Sequence, residues 1–161
     1  MSEHELTSTL EDYLETILNI VSTRKVARSM EIAESLNVKR PTVTVALRTL
    51  AEKGLINYEP RSYITLTDNG EKIAKCVDKR HHVLRDFFME VLNLSLQESE
   101  TAACHMEHSM DNNLCEAVTN LLTALRNDQD LASRLKKAMK TAGKTGKCKK
   151  VCKGTALGNK E

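Results

Sequence analysis

A chain of 161 residues, 29% of them charged and with a formal net charge of +2, is long enough for one domain or two small ones sharing a core, and needs neither disulfides nor structural metal to fold. A polar, acidic N-terminus and the lack of any apolar run near the roughly 20 residues of a membrane helix argue against a signal peptide or a spanning segment; the expected compartment is the cytoplasm, with the five cysteines reduced. The small net charge hides local basicity, at Arg24, Lys25, Arg28, Lys39, Arg40, Arg48, Lys53 and Arg61 and again in eight lysines between Lys136 and Lys153, which points to an anionic partner.

Ser8-Thr9-Leu10-Glu11 reads as a capping box, and Leu10, Tyr13, Leu14, Ile17 and Val21 follow at helical spacing, predicting a first helix over about 9–22. Ser29 reads as the N-cap of a short second helix with Ile32, Ala33 and Leu36 as its apolar side. Pro41 suits a helix start, Val43, Leu47 and Leu50 form the buried stripe of a third helix over 41–53, and Gly54 stops it. The β-prone runs 55–59 and 63–67, separated by Pro60, Arg61 and Ser62, predict a hairpin.

Helix, helix, Pro-initiated helix, hairpin is the order of a winged helix-turn-helix, so 1–70 is expected to be a DNA-binding domain with 41–53 as recognition helix. Thr42, Thr44, Val45 and Arg48 lie off its apolar stripe, with Lys39, Arg40 and Pro41 at its tip. Hydroxyls and cations there reach base edges or phosphates, and Pro41 and Val45 pack on thymine methyls. Arg28 and Arg61 complete the expected DNA-contacting set. The plainer reading is a solvated charged helix face.

From Asp68 to about Val91 runs one long helical pattern, followed by a capping box, Ser95-Leu96-Gln97-Glu98, that opens a helix carrying Cys104, Glu107 and His108. A further helix is expected over about 110–125, and this surplus of apolar helical surface predicts burial between the subunits of a homodimer. Residues 71–126 are thus expected to form an all-helical metal-binding and dimerisation domain, making the fold mostly α. The remainder, 127–161, is expected to hold one more helix near 128–139 before Gly143 and Gly146 open a basic, disordered tail; Cys148 and Cys152 lack the further ligands of a zinc site.

On one helix, residues 104, 107 and 108 share a face and offer a thiolate, a carboxylate and an imidazole together. Asp12 and Glu15 give the first helix a second acid pair, and His81 sits on the long helix. Mixed soft and hard donors suit Fe(II), Mn(II), Co(II) or Zn(II) better than the all-oxygen set that Ca(II) or Mg(II) prefers. Taken singly these residues are ordinary: a lone cysteine is usually a small hydrophobe, and Asp12, Glu15 and above all Glu11 complement a helix dipole. His82 and His105 lie off the ligand faces, and Cys76 and Cys115 fit apolar packing. A metallohydrolase would need a general base and an open position for which no motif stands out, so no enzyme is expected. A winged-helix regulator sensing an organic ligand or redox state is the stronger rival.

Asp12 and Glu15, Arg80-His81, and Cys104, Glu107 and His108, in this order of elements, resemble the diphtheria-toxin-repressor family of metal-dependent transcriptional regulators, which includes iron sensors and manganese sensors. The resemblance spans roughly 7–125. It implies a metal-activated homodimer that binds a palindromic operator on double-stranded DNA and represses metal uptake, in a short form without the SH3-like domain of longer members. It also implies a primary site of Asp12, Cys104, Glu107 and His108, with Glu15 and His81 at a neighbouring one. Manganese sensors have Glu where this chain has Cys104, and iron sensors have Met and a basic residue where it has Asp12 and Glu15. At the ancillary positions of the iron sensors the chain carries Arg85, which weakens that site, and Glu100, which can replace a ligand. The thiolate ranks Fe(II) ahead of Mn(II), with Co(II), Ni(II) or Zn(II) as substitutes in vitro.

Overall fold

The computed structural model describes residues 6–60 and 62–145. Arg61, and Cys148 and Cys152 with the lysines around them, lie outside the described residues. Residues as far as Asn120 form one compact unit and those from Leu121 a second.

In the first unit, α1 (Ser8–Arg24) is capped by Thr7, whose hydroxyl accepts the Leu10 N–H, one residue earlier than the expected Ser8. The α2 helix (Ser29–Ser35) opens where the Glu31 carboxylate accepts the backbone N–H of Arg28 at 2.9 Å. In α3 (Arg40–Glu52), Pro41 occupies the first turn, where a missing N–H costs nothing, and Gly54, at φ 69°, supplies the left-handed residue after the helix. Strands β1 (Ile56–Asn57) and β2 (Thr65–Leu66) pair antiparallel, Ile56 opposite Leu66 and Asn57 opposite Thr65. The hairpin ladder is shorter than expected because the turn consumes the strand ends: the Ser62 N–H already bonds the Glu59 carbonyl. An isolated antiparallel bridge joins Ala27 to Ile64. Tyr13, Leu14 and Ile17 of α1, Ile32 of α2, Val43, Leu47 and Leu50 of α3, and Ile56 and Ile64 of the hairpin close over one core.

The hydroxyl of Thr67 accepts the Gly70 N–H, capping α4 (Asp68–Glu90), and donates to the Gly54 carbonyl at 2.8 Å, so the end of α3 and the start of α4 are pinned together. Gly70 is required there by contact, since a Cβ would stand 1.8 Å from the Leu55 carbonyl oxygen. At 23 residues α4 is about 35 Å long. Its Ala74 belongs to the first core, while Leu84 and Phe88 pack with Ala103, Met110 and Cys115 in a second. The α5 helix (Leu96–Met106) opens on the expected reciprocal Ser95 and Glu98 caps. It ends at Met106, and Glu107–Ser109 form a 3-10 turn before α6 (Asn112–Asn127). Glu107 is the C-cap of the helix that carries Cys104, its N–H still bonded to the Ala103 carbonyl, and His108 follows it on the tightened turn.

The second unit holds the end of α6 and α7 (Gln129–Thr145), whose start is capped by the Asp128 carboxylate accepting the Leu131 N–H at 2.9 Å. The helix continues past Met139 and includes Gly143, which the sequence suggested as the opening of the tail. A single glycine costs a helix only about 1 kcal/mol, too little to end it among tolerable neighbours. Among the described residues no helix is long and apolar enough to cross a membrane.

Gly70→Ala drives a methyl group into backbone, and overpacking of this kind typically costs about 1–3 kcal/mol. The urea midpoint of the variant should fall with the slope unchanged; an unaltered midpoint would contradict the close contact with Leu55.

Candidate metal centre

Three segments of the first unit deliver the acidic and imidazole groups. Leu14 and Ile17 of α1 are fully buried in the winged-helix core, and the Asp12 and Glu15 carboxylates project from the same two turns. His81 comes from the middle of α4, and the 3-10 turn delivers Glu107 and His108. Two groups of possible ligand atoms result, each lying within 4.8 Å of one another: Asp12, Glu107 and His108, and Glu15, His81 and Glu107. Glu107 is common to both and is 0% exposed.

His81 lies between two carboxylates, with Nδ1 2.6 Å from Glu107 Oε2 and Nε2 2.7 Å from Glu100 Oε2. The hydrogen bond to Glu107 outweighs the cost of burial and holds the imidazole at a pKa of about 9, so at neutral pH both ring nitrogens carry protons and both donate. His108 is placed the same way, Nδ1 2.8 Å from Glu11 Oε2 and Nε2 2.8 Å from Asp12 Oδ1. Burial pulls its pKa down, but the Glu11 hydrogen bond and the charges of Asp12 and Glu107 carry it above the ordinary value. The acids respond to one another: burial raises Asp12 against the pull of His108, and burial together with the Glu107 charge raises Glu15.

The proton on His81, with the raised basicity of His108, offsets a knot of carboxylates, which is the environment a divalent cation replaces. One atom points to a missing partner. Glu107 Oε1 is buried and makes no hydrogen bond among the described residues, with His108 Nε2 3.5 Å away. A buried carboxylate oxygen without a donor is costly, and a cation in the Asp12, Glu107, His108 group would satisfy it. The donor set, carboxylates and imidazoles, fits a first-row divalent ion.

The other expected ligands stand outside these groups. Cys104 is on α5 and exposed; partial burial of its sulfur and the charges of Glu107, Asp12 and Glu15 push its thiol pKa up, so the thiolate is disfavoured without a cation. Glu100 is shared between His81 and Arg85, whose Nη1 lies 3.6 Å away. Glu11, which the sequence places as a complement to the helix dipole, lies in the first turn of α1, orients His108 and stands 3.9 Å from Arg80 Nη1. A carboxylate behind a ligating imidazole fixes its tautomer and raises its basicity. The usable signal was its position beside Asp12, with Arg80 beside His81.

On the winged helix, Lys39, Arg40, Pro41, Thr42, Val45 and Arg48 are exposed, and Thr44 is half-buried with its hydroxyl donating to the Arg40 carbonyl at 3.1 Å. Val45 is 64% exposed, a large apolar side chain held out from a helix whose other face is core. Arg28 donates to the Tyr63 hydroxyl at 3.1 Å and stacks 5.1 Å above its ring, which brings an exposed tyrosine from the hairpin into the same surface, a residue the sequence did not single out.

Residues 5–64 match the family model described as the N-terminal DNA-binding domain of iron dependent repressors, and residues 67–136 match the metal-binding and dimerisation domain of the same repressors. An uncharacterized HTH-type transcriptional regulator of Methanocaldococcus jannaschii is 34% identical over 112 residues, 69% of this chain and 90% of that protein. The HTH-type transcriptional regulator MntR of Oceanobacillus iheyensis is 28% identical over 134 residues, 83% of this chain and 90% of the relative. Among solved structures, the manganese regulator SloR superposes with a TM-score of 0.64 at 26% identity, covering 73% of this chain; this chain spans 55% of that one.

Because cation binding requires neutral imidazoles, loading the metal-free protein with Mn(II) should release between about one and two protons. Since His81 keeps its proton up to about pH 9, affinity should rise with pH between pH 6.5 and 8.5, by about tenfold per unit for each proton displaced, and level off above about 9. Calorimetric titration in buffers of different ionisation enthalpy reads the proton count; a pH-independent affinity without proton release would contradict this site.

Proposed function

The chain belongs to the iron dependent repressor family of metal-dependent transcriptional regulators, and we propose that it is a homodimeric, metal-activated repressor that binds a palindromic operator and controls metal-ion uptake, with Mn(II) as its preferred effector. The observation that carries the reading is the shared Glu107 carboxylate, to which α1, α4 and the 3-10 turn all bring donors.

Asp12 and Glu15 sit on α1 within the same turns as Tyr13, Leu14 and Ile17, which pack on the core that also holds Val43, Leu47 and Leu50 of α3. Pulling on the acids therefore pulls on the scaffold of the recognition helix. The 3-10 turn that carries Glu107 and His108 packs against α4 and α5. A bound divalent cation supplies charge neutralisation and a fixed link between these segments. Without it, Asp12, Glu15 and Glu107 repel one another wherever protons on His81 and His108 do not offset them, and α1 is free to sample other positions. Selection of one position changes DNA affinity only by the difference in cation affinity between the states, typically worth 5–150-fold.

The expectation of iron rests on the Cys104 thiolate. With that side chain outside both ligand groups, the donors that converge are oxygen and imidazole, the set that suits Mn(II), and relatives that carry manganese in their names support the same choice. Fe(II), favoured if Cys104 turns inward, is the second reading.

The recognition surface follows from exposure: Arg48 and Lys39 to phosphates, Arg40, Thr42 and Thr44 to base edges or phosphates, Pro41 and Val45 to thymine methyls, and Arg28 with Tyr63 at the flank. A duplex selected from a randomised pool in the presence of Mn(II) should bind 5–150-fold more tightly with the metal than with chelator. Asp12→Ala should abolish that difference, while Cys104→Ser should leave the Mn(II) response intact and weaken only an anaerobic Fe(II) response. Equal affinity with metal and with chelator would refute metal activation, and a Mn(II) response lost in Cys104→Ser would return the choice to iron.

A further inference from the structure

The charge of the chain divides at α7. Residues 129–161 contain ten Lys or Arg against two Asp or Glu, whereas residues 1–128 contain 14 against 20, so a part of formal charge +8 follows a part of charge −6 that includes the recognition helix. Within the described part of that basic region, Ser133, Lys136, Lys137, Lys140 and Thr141 line one shallow groove along α7. Their spacing puts them on a single helix face, and none of the three lysines makes an ion pair among the described residues. Arg134 stands beside them, paired with Asp130 at 3.8 Å. Leu135 and Met139, on another side of the helix, are half-buried.

We propose that this face of α7 is a sequence-independent binding element for the phosphate backbone of duplex DNA, additional to the recognition helix. The inference rests on the DNA-binding function proposed above. Ammonium and hydroxyl donors without a base-reading amide are the usual phosphate contacts, which position a protein without reporting sequence. The helix has no aromatic residue on which the unstacked bases of a single strand would stack. From Ser133 to Thr141 the face extends about 12 Å, and a duplex presents one charge per roughly 1.7 Å of axis, so several phosphates come within reach at once. An acidic remainder of the chain makes the contribution necessary: the few cations of the α3 tip approach a polyanion from a part of the protein that carries net negative charge.

The test compares the full chain with a Lys136→Gln, Lys137→Gln, Lys140→Gln variant, both loaded with Mn(II), by fluorescence anisotropy on a random-sequence 30-base-pair duplex and on the duplex selected from a randomised pool. Each lost phosphate contact removes about 0.9 from the slope of log affinity against log salt, so the slope should fall by up to about 2.7 on both duplexes, with the ratio of their affinities and the Mn(II) affinity unchanged. An unchanged slope overturns the proposal, as does tighter DNA binding by the variant, which would mean that the lysines pair with the chain's own acids, or loss of binding only to phosphatidylserine vesicles, which would assign the face to membranes. If the unmodified chain selects no duplex from the pool, the DNA-binding function itself fails; if it selects one and the slopes coincide, only the role of α7 does.

Discussion

A fully buried carboxylate, that of Glu107, sets the terms for everything around it. An ionised group without solvent is strongly unfavourable unless charge and hydrogen bonds surround it, and its neighbours are recruited accordingly. His81 donates to one oxygen, and His108 lies 3.5 Å from the other. Each imidazole is in turn held from behind, His81 by Glu100 and His108 by Glu11, while Asp12 meets His108 on the Glu107 side. One charge therefore draws together α1, α4, α5 and the 3-10 turn, and it does so with protons in the positions where a metal ion would make the same connections. Breaking any one contact strands a charge.

The placement of that unit gives it leverage on the winged helix. Between Glu11 and Glu15 the polar side of α1 serves the ion cluster, while Tyr13, Leu14 and Ile17 bury into the core shared with α3. A helix with one side in each region cannot shift at the cluster without shifting at the core. Thr67 and Gly70 stiffen the second connection, locking the end of α3 to the start of the long helix that carries His81. On the proposed reading, metal chooses among positions of α1 that the fold already permits.

Much of this was legible in the residues. Helical spacing and the Ser95 and Glu98 caps located the elements, and the order of helices and hairpin announced the winged helix, because these signals are local. Pairing of Asp12, Glu15, His81, Glu107 and His108 across three segments required the resemblance, since no single-segment periodicity brings residue 12 to residue 108. Several features escaped. The change from α-helix to 3-10 turn after Met106 has no glycine or proline to mark it. Glu11 has a sufficient local explanation in the helix dipole, which hides its contact with His108, 97 residues away. Gly143 escaped for the opposite reason, an apparent stop signal too weak to act as one.

Anomalous diffraction at the manganese edge, from crystals grown with Mn(II), tests the shared carboxylate most directly. Peaks are predicted beside Glu107, between it and Asp12 and His108 and, if the second group also fills, between it and Glu15 and His81. A structure whose manganese peaks all lie away from Glu107, at Cys104 alone or at the Cys148 and Cys152 pair, would contradict it.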